Sequence, residues 1–254
     1  MTVSRLLLVL CLLSVEGGCA PRHATREAGV LSAVGIRAVG PAGLLLGAKP
    51  PILFGESFDR LDPKRWREVE VRGQTDYSVV SLDGSMRLKA YSHGGSSILL
   101  MPFRFEPDHY AWISWRWRVD QFVDGEDLSA KGGSDASARV YVYFDTSGLP
   151  WQKRNIDYVW SATLPVGTML ESAFSKASKM IVVESGQGAK GRWQTVSRNM
   201  DEDYRACFPG EAVPKIIAIG LMTDTDNTRS EALAYFDDLM ISRRKPNPSF
   251  SVSP

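Results

Sequence analysis

The residues of this chain best suited to chemistry lie on two alternating stretches. In WISWRWRVD, the residues Ile113, Trp115, Trp117 and Val119 fall on one side and Ser114, Arg116, Arg118 and Asp120 on the other. ARVYVYFD repeats the device, with Ala138, Val140, Val142 and Phe144 opposite Arg139, Tyr141, Tyr143 and Asp145. A period of two among large β-formers predicts strands with one buried and one wet face. If the two strands share a sheet, Arg116, Arg118, Arg139, Tyr141 and Tyr143 stand side by side. Guanidinium groups offer planar forks to carboxylates, sulfates or sugar hydroxyls, and phenols offer a flat ring with a hydroxyl. Such a face suits an oligosaccharide or an acidic glycan. The competing reading is a solvated face of ion pairs to Asp120, Asp145 or Glu184.

Tryptophan is the second chemical feature, since sugars stack on exposed indoles. Trp115 and Trp117 are expected in the core, whereas Trp160 and Trp151 are the ligand candidates. A third is the loop TDTDNT, where Asp224, Asp226 and Asn227 offer closely spaced oxygens of the kind that calcium takes. It lacks the glycine and distal glutamate of an EF-hand, and a turn held by Asx hydrogen bonds is the alternative. Catalytic motifs are thin. No GxSxG, HExxH or phosphate loop occurs, and the chain has only three histidines. An enzyme reading, a glycan hydrolase or lyase, needs Asp135, Arg139 and Tyr158 to converge on one cleft. A scaffold or assembly role for exposed aromatics is a third possibility. Arg198 and Asp203 are assigned instead to structure, as a charge-assisted hydrogen bond pinning a short helix to a sheet.

These groups must be positioned by strands. Successive runs with turn residues between them, without βαβ alternation, predict an all-β chain: a single jelly-roll-like β-sandwich. Asp83-Gly84 marks a two-residue hairpin. The stretch from Met200 to Pro209 reads as the one short helix, with acidic residues in its first turn and Pro209 as its stop. The domain is expected from Ile52 to Ser242, followed by a loose tail over 243–254. Lys plus Arg number 30 against 29 Asp plus Glu, a balance that gives bulk charge no part in binding nucleic acid.

Residues 1–19 read as a signal peptide. Arg5 supplies a positive start, Leu6 to Leu13 an apolar run, and Gly17-Gly18-Cys19 a small-residue cleavage site. The cysteine after two glycines resembles a bacterial lipoprotein signal, which makes Cys19 the lipidated residue and the membrane a partner through that anchor. Glu16 stands where such signals carry an apolar residue, and an ordinary secretory signal is the alternative. Residues 20–51, rich in Ala, Gly and Pro, read as a flexible tether. The expected location is the cell envelope, on the periplasmic side.

Two resemblances follow from these residues. FGESFD near the start and AYFDDLMIS near the end resemble the terminal strands of jelly-roll carbohydrate-binding modules, which meet around a structural calcium; this implies Glu56 and Asp237 as metal ligands. SWRWRVD, SDASARVYVYF, IDYVWSATLPVGT, RNMDEDYRACF and IGLMTDTDNT are similar, in this order, to a bacterial family known as domain of unknown function 3047. Ser134 departs from it, standing where an acidic residue is expected beside Asp135. The matching positions include Trp115, Arg116, Trp117, Asp135, Arg139, Tyr158, Trp160, Arg198, Asp203, Asp224 and Asp226. The family implies an exported β protein and brings no activity with it.

Overall fold

The computed structural model describes residues 51–146 and 153–247. Cys19, the signal peptide, residues 20–50 of the tether and Trp151 lie outside the described residues. Within them the chain forms strands β1 (Ile52–Glu56), β2 (Arg67–Arg72), β3 (Thr75–Leu82), β4 (Ser85–His93), β5 (Ser96–Phe105), β6 (Trp112–Gln121) and β7 (Ala138–Phe144). There follow β8 (Asn155–Ser161), β9 (Met169–Ser172), β10 (Ser175–Ser185), β11 (Gln194–Asn199), helix α1 (Met200–Cys207), β12 (Ile216–Met222) and β13 (Glu231–Ser242). The strands make two sheets, as a β-sandwich requires. The first runs β11-β6-β13-β4-β3, with β1 also on β13, and the second runs β2-β5-β12-β7-β8-β10-β9. Pairing is antiparallel except between β8 and β10.

Alternation decides which face of each sheet is dry. Ile113, Trp115, Trp117 and Val119 enter the core from β6, and Ala138, Val140, Val142 and Phe144 enter it from β7. The centre is a set of stacked rings. Trp115 and Trp117 of the first sheet meet edge to face at 5.3 Å and pack on Tyr158 at 5.5 Å and Trp160 at 5.8 Å in the second. Two-ring contacts of this kind add about 0.5–1.5 kcal/mol each to what area burial contributes. Trp160 also donates its indole N–H to the Gly186 carbonyl at 3.1 Å, so it is a core residue and not a ligand platform.

Local chemistry explains the connections. Asp83 (φ 53°) and Gly84 (φ 81°) close the β3–β4 hairpin with two left-handed residues, the geometry whose twist matches antiparallel strands. Asn199 caps α1 by accepting the N–H groups of Asp201 and Glu202 at 3.2 and 3.3 Å. The helix is then pinned as the sequence predicts: Asp203 accepts the Tyr158 hydroxyl at 2.8 Å and Arg198 Nε at 2.9 Å. On β13 a bulge at Asp237–Asp238, with Asp238 at φ 49°, marks a change of neighbour. Before it β13 pairs with β4, and beyond it with β1.

Candidate ligand-binding face and acidic cluster

The two polar stretches do not share a sheet. β6 belongs to the first and β7 to the second, and both send their apolar residues inward. Arg116 and Arg118 therefore face outward on one side of the sandwich, and Arg139, Tyr141 and Tyr143 on the other. The expectation of one five-residue face fails because alternation orients each strand but carries no information on which strands are neighbours.

On the first sheet a cationic and aromatic face nevertheless forms, with different rings. Register places Asp237 beside Arg116, Tyr235 beside Arg118 and Lys89, and Leu233 beside Tyr91. Trp193, at the entry to β11, lies near two guanidiniums: the centroid of its ring is 5.1 Å from Arg116 and 5.5 Å from Arg87. Arg118 stands 5.9 Å from the Tyr235 ring and Lys89 stands 5.5 Å from that of Tyr91. All three rings are half-buried. Hydrogen bonds fix the cations in turn. Arg118 forks onto Asp120 at 2.6 and 3.0 Å, which raises its pKa further. Asp83, on the β3–β4 turn, accepts both Arg118 at 3.1 Å and the Trp193 indole N–H at 3.3 Å. The hairpin predicted from Asp83-Gly84 thus helps to orient the tryptophan.

Glu56 and Asp237 have other partners. Glu56 accepts the Phe58 N–H at 3.2 Å and the Trp66 indole N–H at 3.1 Å. Asp237 is buried, with Arg87 at 3.0 Å and Arg116 at 3.8 Å. Burial, with Asp238 alongside, pushes the Asp237 carboxyl up to about 7. At the place where the sequence reading expects an ion, two guanidiniums supply positive charge.

The second sheet brings together a different set. Arg139 is 3% exposed; it donates to Asp224 at 2.8 Å and to the Ser134 carbonyl at 2.9 Å, and it contacts Asp157. A guanidinium so enclosed is not free for a ligand. Tyr143 is buried beside it, and Tyr141 stacks on Tyr143 at 5.7 Å. Asp135 accepts N–H groups from Asn227 and Thr228, at 2.7 Å from the Asn227 amide and 2.6 Å from the Thr228 backbone. One oxygen from each of Asp135, Asp224 and Asp226 lies within 4.8 Å of the others. The enzyme set does not converge: Tyr158 projects into the core from β8, whereas Arg139 projects from the opposite face of the same sheet.

The residues that alternation reading missed are Arg87, Lys89, Tyr91, Trp193 and Tyr235. Their signal was present. SMRLKAYSH alternates Arg87, Lys89 and Tyr91 against Leu88 and Ala90, as RWR does.

A family model described as a protein of unknown function (DUF3047) matches residues 64–240. Among curated proteins nothing matches the sequence. Several solved structures are similar. The family 30 carbohydrate-binding module of a Clostridium thermocellum cellulosomal cellulase is 12% identical, with a TM-score of 0.43, over 75% of this chain and 98% of that one. The CBM22-1 xylan-binding domain from Paenibacillus barcinonensis is 12% identical, with a TM-score of 0.39, over 77% and 96%. The xyloglucanase domain of a Sinorhizobium fredii type three effector is 9% identical, with a TM-score of 0.42, over 78% and 100%.

Proposed function

We propose that this chain, which belongs to the DUF3047 family, is a glycan-binding protein that takes its ligand on the outer face of the first sheet. One observation carries the reading: three half-buried rings, Trp193, Tyr235 and Tyr91, each with a cation within 6 Å, share one sheet face. A pyranose ring presents a C–H face that stacks on an aromatic plane, and the interleaved Arg87, Arg116, Arg118 and Lys89 favour a glycan bearing carboxylates. Preordered arginines lose little entropy on binding, because Asp83, Asp120 and Asp238 already hold two of them. The reading includes export to the cell envelope and anchoring through Cys19. It is supported by Arg5, the Leu6 to Leu13 run and Gly17-Gly18-Cys19.

The test is affinity electrophoresis followed by titration calorimetry, with uronate-containing and neutral polysaccharides. Wild type should be retarded, uronate-containing polymers most. Trp193→Ala and Tyr235→Ala should each weaken binding about tenfold or more, on the scale of one lost hot-spot ring. Arg116→Ala should narrow the preference for the acidic polymers. Absence of retardation by any polysaccharide, or unchanged binding in both ring variants, would remove this face.

A further inference from the structure

Away from the aromatic face, the rim of the second sheet holds more buried negative charge than its own cations offset. Asp135, Asp157, Asp224 and Asp226 are each at most 7% exposed. Among the described residues, against them stand Arg139, inside the cluster, and Arg72, whose guanidinium is 3.8 Å from Asp226 and whose side chain is 47% exposed. Four carboxylates against two guanidiniums leave two negative charges, the charge of one divalent cation. Burying carboxylates without a countercharge is costly, so such a site must hold protons or a cation.

Three features favour the cation. The three converging oxygens lie within 4.8 Å of one another, which is the spread allowed around an ion with ligand distances of about 2.3–2.6 Å. Among the described residues the hydroxyl of Ser96, fully buried beside the Asp226 carboxyl, has no hydrogen-bond partner of acceptable geometry. Coordination would engage its oxygen. Finally, hydrogen bonds fix two of the carboxylates in place. Asn227 and Thr228 hold Asp135, while Ala136 N–H and Arg139 both bind the same oxygen, Oδ1, of Asp224.

We propose that Asp135, Asp224, Asp226 and the Ser96 hydroxyl bind one divalent cation, and that calcium is the ion suited to this all-oxygen set. Asp135 lies in the loop between β6 and β7, Asp224 and Asp226 follow β12, and Ser96 opens β5. The cation therefore ties together segments distant in sequence and neutralises the rim of the sheet. This site is separate from Glu56 and Asp237 and independent of the glycan face.

The experiment uses the full chain, stripped with EDTA and then titrated with calcium chloride. Elemental analysis of the reconstituted protein should find one calcium per chain. At calcium about a hundredfold above its Kd the melting temperature should rise by roughly 5–10 °C. Asp226→Asn should abolish the response. Ser96→Ala, a small change that leaves the fold intact by near-ultraviolet circular dichroism, should weaken calcium binding by roughly threefold or more. It decides the matter if Asp226→Asn does not fold. Asp237→Asn should keep the full response. The proposal is overturned if no calcium is retained and the melt ignores both EDTA and calcium. It is equally overturned if Ser96→Ala and a folded Asp226→Asn both bind like wild type. Stabilisation by lowering the pH from 8 to 6, with no effect of calcium, would assign the site to protons instead.

Discussion

Replacing Asp203 by alanine isolates the contact that fastens α1 to the sandwich. The Asp203 carboxylate accepts the hydroxyl of Tyr158, which is fully buried, and the fork of Arg198, whose side chain is 35% exposed. Burial, reinforced by Asp203, keeps the Tyr158 phenol protonated well above its ordinary range, so it remains a donor at every working pH. Without Asp203 that donor is stranded, at about 1–3 kcal/mol. Arg198 can turn to water, and its share is at most about 1 kcal/mol. The expected loss is roughly 1–4 kcal/mol, or about 2–16 °C in melting temperature for a domain of this size. Urea unfolding should show a lower midpoint with an unchanged m-value. A cycle with Tyr158→Phe sharpens the test, because that variant removes the stranded hydroxyl and the double variant should lose clearly less than the two singles together. Additivity within about 0.3 kcal/mol, or a single Asp203→Ala variant that melts with wild type, would refute the account.

Two further outcomes follow from single residues. Asp237 has its carboxyl pushed up to about 7, chiefly by burial, so between about pH 4 and 7 the folded state binds more protons than the unfolded one. Stability from this group therefore falls as pH rises through that window and levels off above it. The difference between wild type and Asp237→Asn in urea melts should decline from pH 5 to pH 7; a difference that is flat or rises contradicts the assignment. Gly95→Ala should cost roughly 1–3 kcal/mol, because its Cβ would sit 2.6 Å from the Gln74 carbonyl oxygen, a backbone atom no rotamer can move. Gly84→Ala, strained by φ but in open space, should cost less, and equal losses in thermal melts would show that the close approach is not what selects Gly95.

Much of the fold was legible because period-two alternation reports burial directly. Trp115 and Trp117, Val140 and Val142 all point into the core as their spacing requires. The Asp83-Gly84 turn and the acidic first turn of α1 were legible for the same reason: each is a local rule satisfied by adjacent residues. What escaped was held by partners distant in sequence. β9 and the first half of β10, with sequences MLES and SKASK, have no alternation to read and owe their strand geometry to each other and to β8. β5 runs past Pro102 to Phe105 because the ladder to β12 shifts register between Ile216 and Ala218, opposite that proline, where a missing N–H is tolerated.

The candidate site shows the same limit more sharply. Arg116 and Arg139 have the same local pattern, and nothing within either strand says that one ends on an accessible face and the other in a buried ion cluster. The difference arises from the neighbours. β6 lies beside β13, and the next strand over is β4, which together supply Tyr235, Arg87, Lys89 and Tyr91, while β7 lies between β12 and β8, and β8 supplies Asp157. Arg139 is enclosed by its acids and closed to any ligand, whereas Arg116 and Arg118, also paired with acids of their own sheet, stay partly exposed beside half-buried rings. The same placement turns Asp135 from a candidate catalyst into the centre of a charge cluster, since Asp224 and Asp226 reach it only once β12 has paired with β7. Function here depends on strand order, which no stretch of the sequence encodes by itself.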